Sequence, residues 1–558
     1  MITFLIPIFS IMGFSLLISK AFHTQFVNII PVVTSSIIAI LYISCIYWSI
    51  YEATLLIYGL GILSLLYFII SERNFLEKLA KYKFEILIIS SICLLYAFFI
   101  YGRHLTSWDD YTFWATATKE LLLRGSFDNS ETATSLMKMH AHYPRGGSVF
   151  HYYFMALSGF REDSALLAHF ILHIIFLMPL ANNKNPFVTP LLFYMVLMSV
   201  CLYTTGTRSL YNDSSIGLMF GSIFAIYMQE KNASYGLILT IPIMIALPMF
   251  REIGMFLAEF AAIILIYHHG KYNNKNYIIY IIMLIVPIFI SLLLNHHFEA
   301  THDFFGRTKH SLSNITSLIE NFHDPQKLLF FNFLKYLALS FIKEGAISIY
   351  VTYALAFYLI SRYRKEEIKN LKYFTISLFI FFILFAIWRL YLYYFTLEFT
   401  FALKGHSLTR YLGSYMLAFA LLSALFIKLA IANAEPFPKR LKAILVFIFL
   451  VSIITIIINA LRVSRNYNEY EKAINDTTSN ILTMLEKDMP IDFDYSGKKG
   501  NFWCFYINYK LAPYNKEEEL QKCLNYDSAN AKIPDINQKK TGGIIYQPFL
   551  SKIISDEL

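Results

Sequence analysis

Apolar runs of about 18 residues or more recur along the chain, and they leave few folds open. Examples are "FEILIISSICLLYAFFIYG" (84–102), "YIIYIIMLIVPIFISLLL" (277–294) and "LKAILVFIFLVSIITIIINAL" (441–461). Each is long enough to cross the hydrocarbon core of a bilayer as a helix. Of 558 residues, 57% are hydrophobic and only 15% charged. A soluble protein of this length carries more charge than that on its surface. The pattern predicts an all-α polytopic membrane protein.

Apolar runs and polar breaks give about 14 spans. They begin near residues 3, 27, 52, 84, 164, 187, 214, 236, 254, 277, 346, 373, 412 and 442. The first run has no basic segment before it and no small-residue cleavage site after it, and reads as a retained span. Lys and Arg concentrate in 71–83, 361–373 and 436–442, which the positive-inside rule assigns to the cytoplasm. Counting spans puts all three on one side. Segments 103–163, 205–213, the turn near 251, 296–345, 396–411 and the tail from about 462 then face outward, and parity puts both termini outside.

The organisation expected is N-terminal spans (1–101), a first large loop (102–163), a transmembrane core (164–461, including the loop 296–345) and an extracytoplasmic tail (462–558). In the tail, "NEYEKAINDTTSNILTMLEK" has a helical pattern, while "FWCFYINY" and "GGIIYQPF" read as strands. Together they suggest a small α/β module. Cys504 and Cys523 both fall there, as a disulfide pair or as two thiols. The formal net charge of +9 sits largely in short inter-helix loops. It speaks for membrane lipids as neighbours and not for nucleic acid.

The polar residues that invite chemistry lie in the outward segments. "SWDDYTFWATATKEL" holds Asp109 and Asp110 among Trp108, Tyr111 and Trp114, a few residues after a span ends. A carboxylate in apolar surroundings gains basicity and can accept a proton from a hydroxyl. The aromatics suit the C–H faces of sugar rings. The same residues also fit an interfacial aromatic belt with two solvated acids. "MHAHYPRGGSVFHYYF" follows, with Tyr143 as a further substrate contact and Arg145 in a turn. His140, His142 and His151 would need matching geometry to make a zinc site; "NHHFEATHD" (295–303) is similar.

Farther on, Asp213 lies in the short loop after Arg208, and Arg251 and Glu252 stand in a break too short to leave the membrane surface. Charge at that depth marks substrate pathways, although an Arg251–Glu252 turn pair fits as well. "LKGHSLTRYLGSYML" (403–417) sets Lys404, His406 and Arg410 at the end of a span. Cations there can hold a phosphate or snorkel as anchors.

"SWDDYTFWATATKEL" together with "HYPRGGSVFHYYF" resembles the first large loop of GT-C type glycosyltransferases. More narrowly, it resembles a group of bacterial polytopic proteins whose loop reads W-D-E-F-x-x-W and then Y-P-P-G. The similarity runs through "LYNDSSIGLMFGSIFA", "LPMFREIGMFLA" and "SLTRYLGSYML" into "DYSGKKGNFWCFYINYKLAP" in the tail. It implies an inverting transferase of the bacterial inner membrane, with a polyprenyl-phosphate sugar as donor. The acceptor is a glycan or lipid, most often lipopolysaccharide or O-antigen, on the periplasmic side.

The resemblance makes Asp109 the general base and has Asp110, where the pattern has Glu, orient the acceptor or lend charge. It gives the donor phosphate to Arg410 and Arg251, with His406 beside them. Trp108, Tyr111, Trp114, Tyr143, Asp213 and Glu252 remain substrate contacts. Arg145 stands where Pro is usual and receives no role. Members of the family differ on metal dependence, and an Mg²⁺ or Mn²⁺ between Asp109 and Asp110 stays open, since paired carboxylates are hard-metal ligands.

Two other readings fit such a chain. An O-antigen polymerase or ligase would place its key residues in the loop 296–345, which holds Arg307, His310 and His323. A flippase or transporter would show charges in mid-span or inverted repeats.

Overall fold

The computed structural model describes residues 2–72, 80, 83–105, 107, 109–129, 137, 143–181, 188–203, 206–272, 276–302, 324–395, 402–405, 407–431, 439–462, 491–492, 509 and 544–545. Within them the chain is a bundle of helices. Every expected span start falls within about five residues of a helix start. The helices are Leu5–Phe22, Phe26–Tyr47, Ile50–Ser71, Lys83–Ile100, Glu162–Leu177, Val188–Tyr203, Asn212–Gln229, Ala233–Phe250, Ile253–Tyr272, Tyr277–Thr301, Glu344–Tyr363, Ile368–Phe395, Leu408–Ile431 and Lys439–Arg462. Ten helices among the described residues are long and apolar enough to cross a membrane, and three shorter apolar ones lie at Ile86–Ile100, Val188–Leu202 and Leu445–Ile458. The chain is a polytopic helical membrane protein.

Leu408–Ile431 and Asn212–Gln229 form the centre, and nearly all their side chains are buried. Glycine lets them meet. A Cβ on Gly217 would lie 2.2 Å from the carbonyl oxygen of Ser414, and one on Gly221 would lie 3.1 Å from the Cα of Ala418. Helices in lipid associate through such close packing, because the bilayer is as apolar as their side chains. Tyr277–Thr301 and Ile368–Phe395 lie at the periphery and leave Ile278, Ile285, Phe289, Phe379, Ile383 and Ile387 exposed.

Two regions depart from the sequence reading. The loop 296–345 contains a further helix, Asp324–Ile342. Lys327 and Lys335 interrupt its apolar run, so it does not read as a span. Its inner face carries buried Leu329 and Phe333.

The first loop, expected as a connection that faces outward, is itself helical and packs against the bundle. It forms a π-helical turn, Asp110–Trp114, then the helices Ala115–Arg124 and Gly146–Met155. "YPRGG" explains the packing: a Cβ on Gly146 would meet the Met249 carbonyl oxygen at 2.7 Å, and one on Gly147 the Asn212 Oδ1 at 2.3 Å. Only glycine fits under these two helices. Arg145 is a buried anchor. It pairs with Asp128 and lies between the Phe127 and Phe298 rings, 5.4 and 5.5 Å from their centroids. His302 Nε2 stands 3.8 Å from Asp128 Oδ1. The turn is thereby fastened to the end of Tyr277–Thr301.

The α/β reading of the tail, and the pairing of Cys504 with Cys523, lie almost wholly outside the described residues. Ile491–Asp492 pairs in parallel with Ile544–Ile545. Tyr509 is buried: its hydroxyl donates to Glu162 Oε1 at 3.1 Å, and its carbonyl accepts from Lys119 Nζ at 2.9 Å. This part of the tail therefore lies against the first loop.

Candidate active site

Four chain breaks converge at one end of the bundle. The segment between Lys83–Ile100 and the π-turn supplies Asp109, the residue just before that turn. The segment before Asn212–Gln229 supplies Tyr211, with Asp213 in the first helical turn. Ala233–Phe250 carries Pro248 in its last turn, and Arg251 follows in extended conformation (φ −162°, ψ 154°). The reversal is tight, since a Cβ on Gly254 would lie 2.0 Å from the Leu247 carbonyl oxygen. Leu408–Ile431 begins the fourth contribution with Arg410 and Tyr411.

These residues form one network. Arg410 Nη1 donates to Asp109 Oδ2 at 3.0 Å, joining residues 301 positions apart. Its Nε lies 3.2 Å from Asp213 Oδ2, close enough for an ion pair although not aligned as a hydrogen bond. Asp213 Oδ1 accepts from Arg251. Both arginines reach the Tyr411 hydroxyl, at 3.3 Å from Arg410 and 3.5 Å from Arg251. The Tyr211 ring lies 4.4 Å from the Arg410 guanidinium carbon, and its hydroxyl accepts from the Asp109 backbone N–H at 3.2 Å. The Asp109 side chain is 37% exposed and Arg410 16%. The carboxylate therefore sits at the mouth, with the guanidinia behind it. Burial pulls the Arg251 pKa down, but Asp213 outweighs it and holds the group charged.

The aromatics divide. Trp114 and Tyr143 stack 6.3 Å apart at 20°, and each ring lies 5.9 Å from the Arg251 guanidinium carbon. Tyr143 is half-buried and Trp114 fully so; Trp114 acts as a wall against Arg251 and does not present an open sugar platform. Tyr111 is also buried, with its ring 6.3 Å from Tyr509 on the tail side. Asp213 serves the arginines, and Glu252 is exposed at the break. Trp108, His140, His142, Arg307, His310, His323 and His406 lie outside the described residues.

Asp110 does not stand where an acceptor can reach it. Adjacent residues on a helical turn face different directions. Asp110 is wholly buried, and its Oδ1 accepts from Ser209 Oγ at 2.9 Å and from the Leu210 backbone N–H at 2.8 Å. Burial pushes its pKa up to about 8; the two hydrogen bonds oppose this, and Asp109 and Glu162 add to it. The group keeps its proton at neutral pH and fixes the segment that carries Tyr211. It neither orients the acceptor nor lends charge.

A metal shared by the two carboxylates does not fit this donor set. Asp109 faces Arg410, whereas Asp110 is turned away toward Ser209 and the Leu210 backbone. Among the described residues no group of three His, Cys, Asp or Glu is arranged to hold a metal ion. His151, His169 and His173 are buried and satisfied in part by one another and by Ser214 and Ser215.

Three contributors were missed by sequence reasoning: Tyr211, Tyr411 and Arg389. Arg389 had a visible signal, since it is a lone cation inside the apolar run "FAIWRLYLYYF". The two tyrosines lie in the stretches "LYNDSSIGLMFGSIFA" and "SLTRYLGSYML" that carry the resemblance, but received no role there.

No family model matches the chain, and searches of the curated proteins and of the solved structures return no match.

Proposed function

We propose that this protein is an inverting, membrane-embedded glycosyltransferase. It moves a sugar from a polyprenyl-phosphate donor to a hydroxyl of a surface glycan or lipid, such as O-antigen or lipopolysaccharide. The site faces the periplasm of a bacterial inner membrane, with fourteen spans and the α/β tail on that same side. The observation that carries the reading is the contact between Asp109 and Arg410. It puts an accessible carboxylate directly beside the guanidinium that the family resemblance assigns to the donor phosphate.

Asp109 accepts the proton of the acceptor hydroxyl as that oxygen bonds to the anomeric carbon. The bond from that carbon to the phosphate oxygen breaks, and polyprenyl phosphate leaves with the electron pair. Arg410 and Arg251 take up the charge that develops on it, in a site where water is scarce and such stabilisation is large. Before the donor arrives, Arg410 is the counter-ion of Asp109. A phosphate that engages Arg410 frees the base, so proton abstraction is coupled to donor binding. Tyr143 and Glu252, at the mouth, contact the sugar or the acceptor.

The test is the mass of the surface glycan from cells lacking this chain. Complementing with the parent restores one sugar that the deletion strain has lost. Complementing with Asp109→Asn, at equal membrane abundance, restores none. A glycan restored in full by Asp109→Asn overturns the assignment of the base.

A further inference from the structure

The arginine cluster contains a third member that neither the motifs nor the mechanism uses. Arg389 lies on Ile368–Phe395, six residues before that helix ends, and is only 7% exposed. Its guanidinium carbon is 3.7 Å from the centroid of the Tyr411 ring. The guanidinia of Arg251 and Arg410 each lie 5.0 Å from the same ring. Three cations, two on helices and one in the break after Ala233–Phe250, thus lie near one tyrosine ring.

Their counter-charges are unevenly shared. Asp213 serves Arg251 and Arg410, and Asp109 serves Arg410. Arg389 has aromatic neighbours, Trp388 at 5.5 Å and Tyr393 at 6.0 Å, and Tyr393 is also a hydrogen-bond partner; Asp213 acts on it at longer range, and among the described residues no carboxylate lies within ion-pair distance. Its Nε is buried without a hydrogen-bond partner among them. A guanidinium held out of water without a paired carboxylate is costly, and charged groups inside membrane spans mark substrate pathways. Among the described residues the ion pairs of the cluster set three guanidinia against two carboxylates, one positive charge in excess. A phosphodiester carries one negative charge.

We infer that Arg389 is a phosphate-binding residue of this site, completing with Arg251 and Arg410 a cradle for the single phosphate of the lipid donor. The inference deepens the transfer reading and rests on it for the identity of the lipid. The cradle itself stands on the geometry alone. Tyr411 is common to all three: its ring lies near each guanidinium, and its hydroxyl accepts from Arg251 and Arg410.

Binding, measured separately from transfer, tests it. The full chain in nanodiscs is titrated with undecaprenyl phosphate and with undecaprenol, which lacks the phosphate. Loss of one charge-assisted contact in Arg389→Ala weakens undecaprenyl phosphate about ten- to a hundredfold and leaves undecaprenol unchanged. Arg389→Lys keeps the charge without the fork and loses less. Undecaprenyl phosphate bound equally by Arg389→Ala and the parent overturns the inference. So does an equal loss for both ligands, which marks a purely structural role. Asp109→Asn serves as the separate control: if it transfers sugar normally, the mechanism fails while the phosphate cradle is still judged by the Arg389 titration.

Discussion

Asp109 is partly open to solvent against Arg410, whereas its neighbour Asp110 is sealed in the protein against Ser209 and Leu210. The difference gives Asp110 a pH signature. Its folded-state pKa is raised, to about 8, above the ordinary carboxylate value. Between about pH 4 and pH 8 the folded chain holds a proton that the unfolded chain has released. The contribution is fully present below that window and is lost as the pH rises through it. Thermal unfolding in nanodiscs should therefore show the parent losing stability from pH 5 to pH 8. Asp110→Asn, neutral throughout and able to accept the same two hydrogen bonds, should lack that component. Parallel curves for the two proteins would contradict a buried, protonated Asp110.

At the scale of elements, the site depends on two helices held at contact distance. Asp213 begins Asn212–Gln229, Arg410 begins Leu408–Ile431, and Gly217 sits one turn beyond Asp213 against the Ser414 backbone. Gly217→Val forces that backbone away. The expected results are a loss of about 1–3 kcal/mol from overpacking and a large drop in sugar transfer, because the Asp213–Arg410 contact opens. Differential scanning fluorimetry and a glycan assay read the two effects, and a Val variant with normal transfer would show that the spacing is not limiting.

These helices were legible from hydropathy alone, because a span announces itself by length. Asp324–Ile342 was not, since its lysines dilute its apolar run. The packing of the first loop was not legible either: Gly146 and Gly147 signal a turn, and nothing local says that Asn212 and Met249 lie against them. In the site, Asp109, Arg251 and Arg410 stood out as charges near span ends. Which carboxylate faced which cation depended on the phase of a π-turn that no residue pattern reveals.

At the scale of the whole molecule, the site lies at the bundle end opposite the basic turn that holds Arg364 and Lys365, since Ile368–Phe395 runs from that turn to Arg389. On the proposed orientation, with that basic turn in the cytoplasm by the positive-inside rule, the site would lie outside it; Tyr509 brings part of the tail against the first loop. Exposed Ser158 and Glu366 mark the two ends. In a cysteine-free background, Ser158→Cys should react with an impermeant maleimide once the outer membrane is opened, and Glu366→Cys only after lysis. The reverse pattern would place the acids in the cytoplasm, where the proposed donor is not presented.

The most direct measurement uses purified chain in liposomes, supplied with lipid extract and surface glycan from a strain lacking it. The parent should add one sugar to the glycan and release polyprenyl phosphate in equal amount, and Asp109→Asn, folded and still able to bind undecaprenyl phosphate, should do neither. Undiminished release by Asp109→Asn would contradict the account.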